Sequence, residues 1–400
     1  MDQMELIKRI SRQTDSRIVF LIMDGLGGLG EPGGKTELET AKTPNLDALA
    51  ARSSCGLADP VAPGITPGSG PAHLALFGYD PVRYNIGRGM LEALGIDFPV
   101  KPGDVAIRIN FCTVDDGGVI TDRRAGRIPT EKCVELCAKL DKIEVDGVDI
   151  SIRPVKEYRA AMVLRGGELG GALNDTDPQV TGKRPLPLSP GDGPSERTAK
   201  IVNAFMEKAE KALKDDRPAN MMLLRGFALC RPYPSMADLY KLKSAAIAQY
   251  PMYKGLARML GMDVLDAGDK KSELFDVLEK RFKDYTYFYV HVKKTDSAGE
   301  DGDFARKVSV IEETDALIPR LTALEPDVIV ITGDHSTPAR LKSHSWHPLP
   351  FLLHSRYCRV DEVKEFGETA CARGGMGRLP STALMPLAMA NALKLDKFGA

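Results

Sequence analysis

Three stretches constrain the fold more than anything else in the chain. IVFLIMDG (18–25), YTYFYVHVKKTD (285–296) and DVIVITGDH (327–335) are short, rich in Val, Ile, Phe or Tyr, and nearly unbroken in hydrophobicity until each ends in a carboxylate. A strand with one wet face alternates polar and apolar residues. An unbroken apolar strand is covered on both faces, the condition of a parallel sheet between two helical layers. PFLLHS (350–355) is a candidate fourth strand of the same kind. Helical periodicity fills the intervals, as in DFARKVSVIEETDALIPRLTAL (303–324) and TALMPLAMANALKL (382–395). Strands alternating with helices predict an α/β fold built on a doubly wound, mainly parallel sheet.

The middle of the chain reads differently. Between about 100 and 230 the strand candidates are short and separated by turn signals, as in VDDGGVIT, VDGVDISI and YRAAMVLRGG. Helical segments EKCVELCAKLDKI and AKIVNAFMEKAEKAL flank the Pro/Gly-rich loop PLPLSPGDGPS (185–195). This pattern predicts a smaller α+β domain at 101–230, inserted into a discontinuous domain made of 1–100 and 231–400. The insertion is rich in arginine, among them Arg108, Arg123, Arg124, Arg127, Arg159 and Arg225.

Composition removes several classes of function. The formal net charge is −1, which gives no basis for a nucleic-acid or membrane-surface partner. No apolar run approaches the roughly 20 residues of a membrane span. The seven cysteines lack C-x-x-C spacing and read as free thiols of a reducing, cytoplasmic compartment. Cys133 and Cys137 share a helix face and read as packing residues.

The chemistry gathers at the strand ends. Ligands of open parallel sheets bind beyond the carboxyl ends of the strands. Asp24, Asp296 with Glu300 four residues on, and Asp334-His335 would meet at that edge. Bare carboxylates crowded together repel one another, and divalent cations relieve the conflict; a mixture of Asp, Glu and His suits Zn²⁺, Mn²⁺ or related ions. Three of the six histidines, His335, His344 and His347, fall within thirteen positions, which reinforces a metal site. Asp24 before a glycine also fits a plain turn, and His73, His291 and His354 read as structural. Ser69, in Thr66-Pro67-Gly68-Ser69-Gly70, stands at the start of an apolar helical run, where backbone N–H groups and the helix dipole favour an anion. It is either a helix cap or a nucleophile; beside metal ligands, phosphoryl transfer is the better reading.

The segments MDGLGG, KTELETAKTPNLDALA, TPGSGPAHLALFGYDP, RGMLEALG, DGGVITDRRAGRI, HVKKTDSAGEDGDF, TGDHSTP with HSWHPLP, and LMPLAMANAL resemble the archaeal-type cofactor-independent phosphoglycerate mutases of the alkaline phosphatase superfamily. The resemblance covers nearly the whole chain. It implies interconversion of 3-phosphoglycerate and 2-phosphoglycerate, a glycolytic and gluconeogenic step, through a phosphoserine and without bisphosphoglycerate. It implies that Ser69 is the nucleophile. Asp24, Ser69, Asp334 and His335 would hold one metal, and Asp296, Glu300 and His344 the other. Asp122 and Arg123 would grip the glycerate, with Arg124, Arg127 and Lys254 as further substrate-binding candidates. Glu300 departs from the family's usual histidine; a carboxylate there favours Mn²⁺ or Mg²⁺ over Zn²⁺, with Co²⁺ a further alternative. His347 is left beside His344 as a rival ligand.

Mutase and hydrolase differ in one requirement, because a mutase must keep water from the phosphoserine while the glycerate turns. Arginine forks suit a small dianion, and the arginine-bearing insertion suits a lid closing by a hinge. The alternatives are a phosphatase or phosphomutase of the same superfamily acting on another small phosphate ester, and a metal-binding protein without catalysis.

Overall fold

The structure, a computed structural model, describes residues 3–84 and 86–399. The described residues form two compact units. One comprises 1–85, 234–250 and 257–400, and the other 86–233 and 251–256.

The first unit is built on an eight-stranded sheet. Its strands lie in the order Gly377–Pro380, Ser54–Asp59, Leu349–Ser355, Val328–Thr332, Ile18–Met23, Tyr287–Val292, Ser244–Ile247 and Asp263–Leu265. The three apolar runs occupy adjacent central positions and are buried throughout, as double coverage requires. They pair in parallel, and register then places their ends. Met23 lies opposite Val292 and Ile22 opposite Thr332, so Asp24 comes level with Lys293 and Asp334 at the carboxyl edge. Leu349–Ser355 corrects the expectation of a further parallel strand, because it runs antiparallel to both neighbours. It re-enters the sheet after the loop 333–348, which has no helical crossover to reverse its direction. The long periodic stretch 303–324 is broken into helices Phe304–Asp315 and Ile318–Thr322, with Pro319 in the first turn of the second.

The second unit is an antiparallel sheet. Val105–Val114 pairs on one side with Arg159–Arg165 and on the other with Met221–Leu229, and at its end with Ile120–Asp122; Asp149–Lys156 lies outside Arg159–Arg165. Helices Thr130–Leu140 and Gly193–Leu213 supply its core with Leu136, Leu140, Val202, Phe205 and Leu213 against Ile107, Phe111 and Met162. This unit starts at Ile86 rather than 101, since helix Arg88–Gly95 packs on Val105–Val114 and Met221–Leu229. Cys133 and Cys137 are buried in this core as free thiols with sulfurs 4.0 Å apart.

Truncating the fully buried Phe205 removes a ring from this core. Phe205→Ala is expected to cost about 3–5 kcal/mol of stability, read as a lowered denaturant midpoint.

Candidate active site

The carboxyl edge of the first unit's sheet gathers the predicted ligands. Asp24, Asp334 and His335 offer ligand atoms within 4.8 Å of one another, and so do Asp296, His335 and His344. Asp24, Asp334 and His335 are fully buried, Asp296 nearly so, and His344 about one-fifth exposed at its side chain. His335 Nε2 is 3.3 Å from Asp24 Oδ1, 3.1 Å from Asp334 Oδ2 and 3.3 Å from Ser69 Oγ. The His335 and His344 rings stack with centroids 3.6 Å apart.

The hydrogen bonds at the rear of each histidine fix what its front can do. His344 Nδ1 is 2.9 Å from the carbonyl of Pro67. A carbonyl only accepts, so Nδ1 carries the proton and Nε2, 3.6 Å from Asp296 Oδ1, presents a lone pair. His347 instead meets Ser345 Oγ and stacks on Trp346, outside both groups. Ser69 is the first residue of helix Ser69–Leu76; Gly68 is its N-cap, so the serine hydroxyl does not cap the helix. His73, one turn on, donates from Nδ1 to the Ser69 carbonyl at 2.8 Å and lies 3.3 Å from Asp334 Oδ2. Burial pushes the His73 pKa down to about 4 and holds His335 well below the usual histidine range, so both rings are neutral.

Glu300 joins neither group. The buried face of helix Lys294–Asp301 carries Thr295, Asp296, Ala298 and Gly299, while Glu300, one turn beyond Asp296, is exposed at the margin of that face. The second group therefore rests on Asp296 and His344 beside the His335 ring.

Lys293 escaped the sequence reading. Its ammonium lies 2.9 Å from Asp24 Oδ2 and also pairs with Asp296 Oδ2, bridging carboxylates of both groups. Burial disfavours its charge, but Asp24 and Asp296 outweigh that and raise its pKa. The available signal was its place one helical turn before Asp296. His73 and His291 were read as structural; His291 Nε2 stands 3.7 Å from Asp24 Oδ2, so both belong to the surroundings of the first group.

These residues fit divalent cations. Asp334 Oδ1 accepts from the Gly25 amide at 2.9 Å, while Oδ2, buried, accepts no hydrogen bond. Burial raises the Asp334 pKa to about 7, the response of a carboxylate without enough positive charge beside it. Carboxylates with neutral imidazole lone pairs form a donor set for Mn²⁺, Zn²⁺ or a related ion.

A sequence profile described as 2,3-bisphosphoglycerate-independent phosphoglycerate mutase matches residues 50–220. A probable 2,3-bisphosphoglycerate-independent phosphoglycerate mutase of Thermus thermophilus is 50% identical over 406 residues, spanning 100% of both chains. The chain belongs to this family. A relative of the same description from Aquifex aeolicus is 48% identical over 99% of this chain and 100% of its own. Among solved structures, the cofactor-independent phosphoglycerate mutase of Thermoplasma acidophilum superposes with a TM-score of 0.73 at 31% identity, covering 94% of this chain and 100% of that one. A Pyrococcus horikoshii protein gives 0.83 at 29% identity, covering 98% and 100%. The chain is thus an isomerase of the phosphoglycerate mutase type, from a family that works without bisphosphoglycerate.

The remaining phosphoglycerate-binding candidates lie in the second unit. Asp122 accepts the amides of Arg124 and Gly126 at 2.8 and 2.6 Å, and so shapes the turn 122–127 that exposes Arg124 and Arg127. Arg123 forks onto buried Asp177 at 2.9 and 2.7 Å. Arg225 joins this set, 3.2 Å from Asp175 and 3.4 Å from Asp177. Buried Arg108 pairs with Glu92 at 3.0 Å; burial lowers its pKa, and Arg88, Arg159 and Arg225 push the same way. Lys254 lies on helix Pro251–Met259, in the short stretch that belongs with this unit.

The Asp334 carboxyl sets an expected pH dependence. Its raised pKa means that below about 7 the cation-free chain carries a proton there, which a metal ion must displace. Mn²⁺ affinity is expected to fall about tenfold per pH unit below that value, with proton release seen by calorimetry in buffers of different ionisation enthalpy. An affinity constant across that range contradicts the assignment.

Proposed function

We propose that the chain interconverts 3-phosphoglycerate and 2-phosphoglycerate through a phosphoserine at Ser69, with two divalent cations held at the sheet edge. The observation that carries this reading is the placement of Ser69 Oγ 3.3 Å from His335 Nε2, within reach of the Asp24–Asp334–His335 group. Asp24, Ser69, Asp334 and His335 would hold one cation, and Asp296 with His344 the other, Mn²⁺ being the ion that the oxygen-rich first set favours. Bound there, divalent cations would lower the pKa of the serine hydroxyl and screen the phosphate charge.

The chain's own residues do the rest. Ser69 Oγ bonds to phosphorus as the bond from phosphorus to glycerate O3 breaks, and the serine proton passes to that oxygen. The glycerate reorients, O2 attacks the phosphoserine, and its proton returns to Ser69. His73, donating to the Ser69 carbonyl, holds the nucleophile's backbone in place. Lys293 adds a positive charge that complements the incoming phosphate once metals compensate Asp24 and Asp296. The arginines of the second unit, Arg123, Arg124 and Arg127 foremost, supply the planar forks that a carboxylate requires, and Lys254 adds a further cation.

Ser69→Ala is expected to abolish transfer, a loss of at least about 10⁴-fold, with the melting temperature nearly retained and Mn²⁺ binding weakened at one site only. Activity near wild type sinks the nucleophile assignment. Arg123→Ala is expected to lower mutase turnover far more than hydrolysis of an aryl phosphate; equal losses would remove Arg123 from glycerate recognition.

A further inference from the structure

One hydroxyl stands between the two ligand groups. Thr337 Oγ1 is 2.9 Å from Asp296 Oδ1 and 2.9 Å from His335 Nδ1, and all three side chains are buried. A hydroxyl has one proton. An ionised carboxylate only accepts, so that proton goes to Asp296, and the oxygen then accepts from His335 Nδ1–H. This leaves His335 Nε2 bare toward Asp24, Asp334 and Ser69. The reverse arrangement, with the hydroxyl donating to His335, would set an oxygen lone pair against the Asp296 carboxylate. The tautomer of a residue in one group and the orientation of a carboxylate in the other are therefore fixed by the same O–H.

The surroundings hold this hydroxyl rigidly. Gly25 is left-handed at φ +63°, and a Cβ there would stand 2.6 Å from Thr337 Oγ1. A Cβ on Gly299 would fall 2.1 Å from the Thr337 carbonyl oxygen. Buried Lys307 donates to that same oxygen and to the Gly27 carbonyl, both at 2.9 Å. Paired with the buried Glu37 carboxylate at 3.9 Å, this ammonium is held out of water and ties together two loops, the one after Ile18–Met23 and the one after Val328–Thr332.

We infer that Thr337 is a positioning residue shared by both cation sites, orienting His335 for one and Asp296 for the other, so that the two sites are built as one unit. This rests on the two-cation reading given above. Removal of a ligand that belongs to one site should weaken that site, whereas removal of the shared hydroxyl should weaken both.

Metal-stripped full-length chain titrated with Mn²⁺ alone, followed by calorimetry and by the signal of free Mn²⁺ in electron paramagnetic resonance, tests this. Wild type is expected to take up two ions. Thr337→Val should lower both affinities by roughly 10–100-fold, Thr337→Ser should stay close to wild type, and His344→Ala should lose one ion only. In ¹⁵N-histidine spectra of the metal-free chain, the Nδ1–H form of His335 should give way to mixed tautomers in Thr337→Val but not in Thr337→Ser. Thr337→Ala serves as a second hydroxyl-free variant if the valine distorts the fold. Hydroxyl-free variants that bind both ions like wild type, or weaken only one site, overturn the inference while leaving the two-cation reading standing. Uptake of fewer than two ions by wild type overturns that reading, and the inference with it.

Discussion

The structure depends on a concentration of buried negative charge at one sheet edge. Asp24, Asp296 and Asp334 are withdrawn from water within a few ångströms of one another. Such carboxylates are costly unless opposite charge or hydrogen bonds compensate them. The chain supplies part of the compensation itself, through Lys293 across Asp24 and Asp296, the Gly25 amide on Asp334 and the Thr337 hydroxyl on Asp296. The deficit that remains shows in the raised Asp334 pKa and in the Asp334 oxygen without a donor. Two divalent cations on the proposed reading would complete the balance and leave a net positive centre for a phosphate dianion.

Register in the parallel sheet is what creates this concentration. The same pairing that buries Ile18–Met23 between two apolar strands brings three strand ends to one level. Stability and function therefore constrain one another here. A slip of one residue would send each side chain into the opposite helical layer, against side chains it does not fit, and also separate Asp24 from Asp334.

Much of this was legible in the sequence, and what was not has physical reasons. The three central strands are visible because burial on both faces writes an unbroken apolar run. The short strands Ser244–Ile247, Asp263–Leu265 and Gly377–Pro380 are three or four residues long and carry too little pattern to be seen. The direction of Leu349–Ser355 was hidden, because apolar periodicity is the same read either way. Asp24, Asp296, Asp334 and His335 read as ligand candidates from their places at strand ends, Ser69 from a helix start and His344 from the histidine cluster. Glu300 stands outside both groups, because its place one turn beyond Asp296 carries it into solvent, which spacing alone does not tell. Lys293 and Thr337 were missed since a lysine is ordinarily solvated and a threonine just past a strand end is ordinarily a turn former. His73 and His291 looked like core histidines, and they are indeed buried, but against the carboxylates.

The central claim is metal-dependent transfer that keeps the phosphate within the enzyme–substrate pair. The most direct measurement gives metal-stripped chain 3-phosphoglycerate, with and without Mn²⁺ and with no bisphosphoglycerate, and follows 2-phosphoglycerate and free phosphate together. The account predicts 2-phosphoglycerate only when Mn²⁺ is present, with little free phosphate. Free phosphate as the main product, or equal turnover without metal, would contradict it.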